Sequence, residues 1–397
     1  MRFRLSNLKE KALKMHRDSK GKISVESKVK VTNAEELSLA YSPGVAEPCL
    51  EIAEDKEKAY LYTMKSHMVG VVSNGTAVLG LGNIGAQAAL PVMEGKAVLF
   101  KNFANVDAFP ICLDTKDPDK LIETVQMLAP NFGGINLEDI AAPDCFYIEE
   151  KLKQLLDIPV FHDDQHGTAI VTVAGLVNAL KLVDKQMSEI KVVINGAGAA
   201  GIAIVRLLNQ FGVKQMIICD SQGAIYDGRK SGMNPIKQTI AQETNDQKET
   251  GDLRAVIENA DVFIGVSLAD LVDQDMIRSM NRDSIIFAMA NPNPEIMPED
   301  AIAAGARIVG TGRSDYPNQV NNVLAFPGIF KGALSVLARE INEPMKVAAV
   351  HAIAGLIDET ELTDTYIIPD PFDPRVAKAV SEAVAQAAQK TGVASQK

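Results

Sequence analysis

Two pairs of neighbouring acidic residues are the strongest candidates for chemistry in this sequence. Glu138-Asp139 and Asp163-Asp164 each closely follow a short, largely apolar run, 132–137 and 158–161. Acids at the carboxyl ends of buried strands lie where α/β proteins build their sites. Carboxylates that converge on one point repel each other unless a cation lies between them, and oxygen ligands favour Mg²⁺ or Mn²⁺ over zinc. We therefore expect a hard-cation site between two halves of the chain, the alternative being solvated loop acids.

A lysine and a tyrosine are candidate proton-transfer groups. Lys96 precedes the apolar run 97–100, and a lysine among apolar neighbours has a lowered pKa and can act as a base. The equally open alternative is a surface lysine whose stem covers apolar atoms. Tyr41 precedes Ser-Pro-Gly and so stands on a turn at the end of an element. It either packs, as most single tyrosines do, or presents its hydroxyl to a cleft.

A nucleotide-binding fingerprint lies in the second half of the chain. The apolar strand 192–194 enters a glycine-rich turn, a helical segment follows, and Asp220 ends the next strand 24 residues after the first glycine. The glycines allow the tight turn, the approach of a pyrophosphate and close helix packing, and the helix N-terminus favours phosphate. We expect Asp220 to accept hydrogen bonds from the adenosine ribose. The residues of the turn are Gly196, Ala197, Gly198, Ala199, Ala200 and Gly201.

An earlier segment, Gly80–Gly85, has the same glycine spacing. It lacks an equally convincing strand and acidic partner, so we interpret it as a tight turn that approaches another part of the chain. In front of it, Asn74-Gly75 between the strand-like runs 68–73 and 76–79 predicts a β-hairpin.

Neutral polar residues complete the candidate set. Asn291 ends the strand 284–290 before a proline, where its amide can face a crevice, and Asn322 lies in the amide-rich segment 318–322. That segment is either a solvated turn or a set of amides for a small polyacid. Thr168 opens an apolar helix directly after the second acidic pair. We expect Thr168 and Asn291 to contact the cofactor.

These candidates need a scaffold that brings strand ends together. Strand-like and helical segments alternate along most of the chain, which predicts an α/β fold with a largely parallel sheet. A length of 397 residues favours two domains. We expect a substrate domain over residues 1–160, a nucleotide-binding domain with C-terminal helices over residues 161–397, and a cleft between them.

Composition excludes several classes of partner. A net charge of −11 argues against nucleic acid or an anionic membrane surface, and no apolar run approaches a membrane span. Residues 1–30 hold ten Lys/Arg against three Asp/Glu, but the acids favour a mature helix over a transit peptide. Four scattered cysteines suggest a reduced, cytoplasmic protein.

The candidates form one coherent set for a hydride-transfer reaction. A lysine takes the proton of a substrate hydroxyl while hydride leaves to a nicotinamide. A divalent cation polarises the new ketone, and a carboxylate β to that ketone leaves as CO₂. The remaining enol needs a proton at carbon, and Tyr41 is the available acid. This chemistry is the oxidative decarboxylation of a β-carboxy 2-hydroxy acid.

The motifs resemble those of the malic enzymes of the short bacterial type, from about residue 37 to residue 374. The resemblance implies an N-terminal malic-enzyme domain, a C-terminal Rossmann-like NAD(P)-binding domain, L-malate as substrate, and a homodimer or larger assembly. The matching segments are Ala40–Gly44, Gly80–Gly85, Glu94–Lys96, Asn136–Asp139, Asp163–Ala169, Asn291-Pro292 and Asn321-Asn322.

The resemblance also implies roles for single residues. Tyr41 matches the general acid and Lys96 the base of the family, and Asp163 lies beside the cation. The residues that match the ligands of Mn²⁺ or Mg²⁺ are Glu138, Asp139 and Asp164, and those that match the malate-binding asparagines are Asn291 and Asn322. An arginine that binds the substrate carboxylate in the long eukaryotic members has no counterpart here, because Thr76-Ala77-Val78 stands at that place. The long bacterial form carries a phosphotransacetylase-like extension, which we do not expect here.

The cofactor and the reaction each have alternatives. Asp220 favours the free 2′-hydroxyl of NAD and repels a 2′-phosphate, so we expect NAD, with NADP possible. One rival function is a metal-dependent oxaloacetate decarboxylase without redox. An amino-acid dehydrogenase is a second rival, but it needs no metal. A non-catalytic nucleotide sensor is a third, but it needs neither Lys96 nor the carboxylates.

Overall fold

The computed structural model describes residues 2–395, and for residues 2–7 and 79 the backbone only. The strands are β1 Met68–Ser73, β2 Asp107–Cys112, β3 Gly134–Leu137, β4 Val160–His162, β5 Lys191–Asn195, β6 Gln215–Asp220, β7 Gly223–Ala224, β8 Val262–Gly265, β9 Ile285–Ala288 and β10 Ile308–Thr311. The helices are α1 Arg2–Ser19, α2 Ala34–Ala40, α3 Ala46–Glu54, α4 Ala59–Tyr62, α5 Ala86–Ala104, α6 Pro118–Leu128, α7 Asp144–Leu155, α8 Thr168–Leu182, α9 Ala199–Gln210, α10 Pro235–Glu243, α11 Leu253–Val256, α12 Gln274–Arg278, α13 Pro298–Ala303, α14 Phe326–Ser335, α15 Glu343–Ala354 and α16 Arg375–Lys390.

The first sheet has the order β2-β1-β3-β4, and all of its strands run parallel. The hairpin expected after β1 is wrong, because β1 has parallel partners on both sides and residues 76–78 form no strand. Gly75 has a φ of +67°, and a Cβ there would lie 2.2 Å from the carbonyl oxygen of Gly85. The turn therefore leads the chain into α5, the crossover helix to β2.

The second sheet has the order β10-β9-β8-β5-β6-β7. It is parallel except for the short β7, which pairs antiparallel with β6. The expected α/β fold is confirmed, and the strand order reverses between β5 and β8, which is where open parallel sheets bind ligands. The domain boundary at 160/161 stays a prediction; β4, at residues 160–162, belongs to the first sheet.

Helix α5 is fixed between the sheet and the C-terminal helices. Phe100 of α5 is fully buried and meets the rings of Phe326 and Phe330 edge-on, at centroid distances of 4.7 and 5.3 Å. Outside the core, Lys22 donates from its ammonium to the Pro91 carbonyl at 2.6 Å and from its backbone N–H to Glu94 at 2.9 Å. These contacts hold α5, and with it Lys96, in one place.

The N-terminal helices α2, α3 and α4 contain no buried residue. Their exposed side chains include large apolar ones, and Leu39 and Leu61 are 71% and 73% exposed. Single exposed leucines are common, but several on neighbouring short helices are not. Within residues 2–395, no helix is long and apolar enough to cross a membrane.

Candidate active site

The two acidic pairs converge at the carboxyl ends of two adjacent strands. Glu138 and Asp139 follow β3, and Asp164 follows β4, its parallel neighbour. Glu138, Asp139 and Asp164 each offer a carboxylate oxygen within 4.8 Å of the others. Asp164 also accepts the backbone N–H of Asp139 at 2.7 Å. The structure therefore brings together the three residues that the resemblance implied as cation ligands.

A π-helical turn over Asp163–Gly167 carries the second pair into the site. A π turn is uncommon and often marks a functional position. A Cβ at Gly167 would lie 1.9 Å from Oδ1 of Asp163, so only glycine fits there. Asp139 has a φ of +54°, a conformation that aspartate tolerates better than most residues. The sequence thus bends at both acidic pairs so that they face each other.

Burial, and to a smaller degree mutual repulsion, raises the carboxyl pKa values in this cluster. Burial raises the pKa of Glu138 to about 7, with Asp164 adding to the rise and Lys96 opposing it. Burial likewise raises the pKa of Asp163 to about 7 and that of Asp164 to about 6. An oxygen-only donor set that resists ionisation fits a divalent cation such as Mg²⁺ or Mn²⁺, because a cation stabilises all the anionic forms at once.

Lys96 lies inside this cluster, with 7% of its surface exposed. Its ammonium donates to Asp163 Oδ2 at 2.7 Å, lies 3.0 Å from Glu138 Oε1 and sits 4.3 Å above the ring centre of Phe326. Burial alone would lower the pKa of Lys96, but the charges of Asp163 and Glu138 raise it above the usual lysine value. The expectation of a lowered pKa is therefore wrong, because it considered the apolar neighbours in sequence and not the carboxylates that reach Lys96 in space.

The second half of the chain contributes the amide of Asn322 at the same place. The side-chain amide of Asn322 donates to Asp163 Oδ2, the oxygen that also accepts from Lys96. Asn291 follows β9 on an exposed loop. A Cβ at Gly80 would lie 2.5 Å from the Asn291 carbonyl oxygen, so the first glycine motif is a tight turn against that loop, as expected. The two halves therefore meet at the proposed substrate groups.

Tyr41 is not brought into the cluster. It caps the end of α2 and is 69% exposed. The side chains that contact Lys96 are Asp163, Glu138 and Phe326, and none of them belongs to the N-terminal helices. Within this chain, then, the proposed base and the proposed acid are apart.

The second glycine motif has the geometry that nucleotide binding requires. Gly196 has a φ of +124°, and a Cβ at Gly201 would lie 1.8 Å from the Gly196 carbonyl oxygen. A Cβ at Gly198 would meet nothing within 4 Å, which leaves open space at the turn. The free N–H groups of the first turn of α9 follow at once, so a phosphate fits there. Thr168 begins α8 next to the acidic turn.

The carboxylate of Asp220 accepts more hydrogen bonds than the sequence suggests. Its Oδ1 accepts from Arg229 Nη1 and from the Gln222 backbone, both at 2.9 Å. Its Oδ2 accepts from Arg229 Nη2 and from Lys237 Nζ, the latter at 2.6 Å. Burial alone would raise the pKa of Asp220, but Arg229 and Lys237 hold it at about 2. A carboxylate has about four acceptor positions, so Asp220 has no free one for a ribose hydroxyl.

The sequence patterns did not reveal the residues that pair with the candidate site residues. Arg229 and Lys237 lie 9 and 17 positions after Asp220, and no motif in the sequence links them to it. Glu149 is 5% exposed and accepts from Gln165 and His166 of the acidic turn. Its position on the buried face of the amphipathic α7 was the available signal, since a buried glutamate needs a partner.

Comparison with known proteins identifies both halves of the chain. Residues 20–153 match the family model for the N-terminal domain of malic enzyme, and residues 165–392 match the model for its NAD-binding domain. The bifunctional malic/malolactic enzyme of Bacillus subtilis is 67% identical, over 98% of this chain and 95% of that protein. The NAD-dependent malic enzyme of Geobacillus stearothermophilus is 56% identical, over 98% and 81%.

The fold is also shared with a solved structure. The crystal structure of an NAD-dependent malic enzyme from Thermotoga maritima superposes with a TM-score of 0.92 at 51% identity, covering 94% of this chain and 98% of that one. The two-domain architecture is therefore that of its relatives.

The raised carboxyl pKa values predict how pH acts on the metal-free protein. A carboxyl pKa above its ordinary value of about 4 means that the protonated form favours folding. That stability is complete below about pH 4 and is lost as pH rises through about 7. Replacing Glu138 by glutamine should therefore raise the Tm at pH 8 by about 2–4 °C, while weakening Mn²⁺ binding about 100-fold.

Thermal melts at pH 5.5 and pH 8, with and without Mn²⁺, test this prediction. The wild-type gain from Mn²⁺ should grow with pH, because the ligands bind as anions. Equal Tm values for the two proteins at pH 8, with the same Mn²⁺ gain, would remove Glu138 from the cation site.

Proposed function

Because this chain belongs to the malic enzyme family, we propose that it converts L-malate and NAD(P)⁺ into pyruvate, CO₂ and NAD(P)H with the help of a divalent cation. The observation that carries this proposal is the buried Lys96 between Asp163 and Glu138, beside three converging carboxylates. A structural lysine has no need of so many unfavourable buried charges.

Substrate groups are proposed from both halves of the chain. Asn322 is already oriented by its hydrogen bond to Asp163, and Asn291 lies on the loop that Gly80 contacts. Their amides donate hydrogen bonds to carboxylate oxygens without adding charge to a crowded cluster. Glu138, Asp139 and Asp164 would hold Mn²⁺ or Mg²⁺, which supplies charge to orient the substrate and polarise its oxygen.

Lys96 is the proposed base for the C2 hydroxyl of malate. Its raised pKa reflects the charges of Asp163 and Glu138. A cation bound by Glu138 would offset the negative charge of that carboxylate, and the pKa of Lys96 would then fall. Asp163 keeps the amine oriented at 2.7 Å. Asn291 and Thr168 are proposed to contact the nicotinamide, which would supply the acceptor for the hydride at C2.

Tyr41 is the proposed acid that protonates the enol after CO₂ departs, and we propose that it serves the site of a partner subunit. The hydroxyl is not near Lys96 of its own chain, and α2, α3 and α4 present exposed apolar side chains. Such a surface is typical of an obligate interface between copies of one chain. A homodimer that exchanges these helices would bring acid and base together.

The cofactor preference follows from the charges around Asp220. Arg229 and Lys237 carry two positive charges against one negative, so the carboxylate no longer repels a 2′-phosphate as a free aspartate would. Lys237 is the exchangeable donor, because its side chain is 18% exposed while that of Arg229 is 6% exposed. We therefore propose that both NAD and NADP are accepted, rather than NAD alone.

An absorbance assay tests the reaction itself. L-malate, Mn²⁺ and either cofactor should give reduced nicotinamide and an equal amount of pyruvate, and a chelator should abolish both. Lys96→Ala should lower kcat by about 10³-fold or more, since it removes the base. Metal-dependent pyruvate from oxaloacetate, without any reduction of nicotinamide from malate, would replace this proposal with a decarboxylase.

A second candidate function is the conversion of malate to lactate, favoured by the 67% identity to the bifunctional malic/malolactic enzyme. If pyruvate and reduced cofactor stay bound, the hydride returns to C2 and the Lys96 ammonium returns the proton. The sum is malate to lactate and CO₂, without net redox. Lactate measured in the same tube, with less reduced nicotinamide than CO₂, would support it.

A mixing experiment tests the shared site. Tyr41→Phe and Lys96→Ala chains, each of low activity alone, should regain about a quarter of wild-type activity after exchange. Half of the dimers are then mixed, and each has one site with both wild-type groups. A mixture no more active than the sum of its separate components would assign acid and base to the same chain.

Replacement of the exchangeable lysine tests the cofactor proposal. Lys237→Gln should lower kcat/KM for NADP about tenfold or more and leave that for NAD within about twofold, because only NADP carries the 2′-phosphate. Lys248→Gln is the matched control, since Lys248 pairs with Asp227 on the exposed surface. An unchanged ratio of the two kcat/KM values would show that Lys237 does not contact the cofactor.

A further inference from the structure

A second charged cavity lies behind the acidic turn. It has a volume of about 240 Å³ and is enclosed by α7, the turn 163–167, α9, the start of α10 and α15. Gln165 and His166 line it, whereas Lys96 and the three carboxylates of the cation cluster do not. On α9 it is lined by Ala203, Arg206 and Leu207, and none of residues 196–201 lines it; Arg206 lies about 7 Å along the helix from Gly201. The cavity is therefore separate from both sites described above.

Lys346 is a buried cation in the wall of this cavity, with 4% of its surface exposed. Its ammonium donates to Glu343 Oε1 at 2.7 Å and contacts His166 Nδ1 at 3.1 Å. An ammonium has three protons to donate, so one is left over. Lysine is rarely buried unless it is fully paired, and this one retains a donor beside an open space.

Arg206 is a second cation with unused donors. It is exposed and lines the same cavity, and no described side chain (8–78 and 80–395) and no described carbonyl accepts a hydrogen bond or ion pair from it. A guanidinium has five N–H donors in a fork that matches an oxyanion. Arg206 and Lys346 thus present complementary donors to one volume.

The remaining charges limit the ligand. Glu149 is already engaged by Lys153 at 2.6 Å and by His166 at 2.8 Å. The formal charges of the lining residues cancel, because Lys153, Arg206 and Lys346 face Glu149, Glu150 and Glu343. A group with several negative charges would meet these acids, so a small oxyanion with about one charge fits best.

The cavity is mechanically connected to the cation cluster. Lys346 can only donate, so His166 Nδ1 accepts from it, and His166 Nε2 donates to Glu149. His166 belongs to the same π turn as Asp163 and Asp164. The turn is closely packed at Gly167, where a Cβ would lie 1.9 Å from Oδ1 of Asp163. His166 is two residues from Asp164 on this turn, so we expect a shift of His166 to be passed to Asp164.

We propose that this cavity is a regulatory site for a small oxyanion of about one negative charge, a carboxylate or dihydrogen phosphate, held by Arg206 and Lys346. Its occupancy changes the affinity of the carboxylate cluster for its cation through His166. The coupling rests on the cation site of the proposed function. The binding itself does not, since it needs neither malate nor nicotinamide.

Calorimetric titration of the full-length, metal-free protein tests the binding. Sodium acetate and sodium phosphate are titrated separately against sodium chloride of equal ionic strength, which distinguishes the two sources of oxyanion. Saturable binding of at least one is expected, at least about tenfold weaker in Arg206→Gln and unchanged in Lys331→Gln. Lys331 is a suitable control because it is an exposed lysine on α14, outside the cavity lining.

Two results would overturn the site. One is the absence of saturable binding for both anions, and the other is equal binding by wild type and Arg206→Gln. Neither touches the proposed reaction, whose assay contains no added oxyanion other than substrate. Since Arg206 makes no contact that the fold uses, its variant should fold. Lys346→Gln, which keeps a donor, is a second variant with the same expected loss.

The coupling is tested by Mn²⁺ titration with and without the anion that binds. The Mn²⁺ affinity should change about fivefold or more in wild type and in Lys331→Gln, and not in Arg206→Gln. An anion that binds through Arg206 and leaves the Mn²⁺ affinity unchanged would overturn the regulatory part.

Discussion

A buried ammonium surrounded by carboxylates is the arrangement on which the rest of this structure depends. Lys96 has Asp163 at 2.7 Å and Glu138 at 3.0 Å, and Asp139 and Asp164 lie close by. Such a group is expensive to bury unless its charges are compensated. The fold supplies the compensation from three directions: α5 carries the lysine, the ends of β3 and β4 carry the acids, and Asn322 approaches from the second half of the chain.

The same arrangement explains why the two halves of the chain contact each other as they do. Asp163 accepts from both Lys96 and Asn322, so one carboxylate belongs to both halves at once. Gly80 lies against the Asn291 carbonyl of the second half. Each contact requires the halves to be close, and each involves a residue proposed to bind or transform the substrate, or one directly beside it.

Local patterns in the sequence predicted most of the scaffold. The strand before Gly196, the glycine turn and α9 follow from short-range chemistry, and the acidic pairs lie at strand ends because buried parallel strands are short and apolar. The hairpin after β1 failed because the partners of β1 are β2 and β3, which lie far along the chain. The prediction of a lowered pKa for Lys96 failed for a similar reason, since Asp163 is 67 residues away along the chain. The pairing of Asp220 with Arg229 and Lys237 left no periodic trace either.

The exposed apolar side chains of the N-terminal helices have a consequence for how the protein behaves in dilute solution. Helices α2, α3 and α4 contain no residue that is fully buried against their own chain, so association would cover much of their exposed apolar surface, and association obeys mass action. If Tyr41 acts in a partner subunit's site, Lys96 of a separated subunit has no general acid beside it. Turnover per chain would then fall on dilution as subunits separate, even though the buried cluster around Lys96 stayed intact. The activity of each chain would therefore depend on the protein concentration as well as on the sequence.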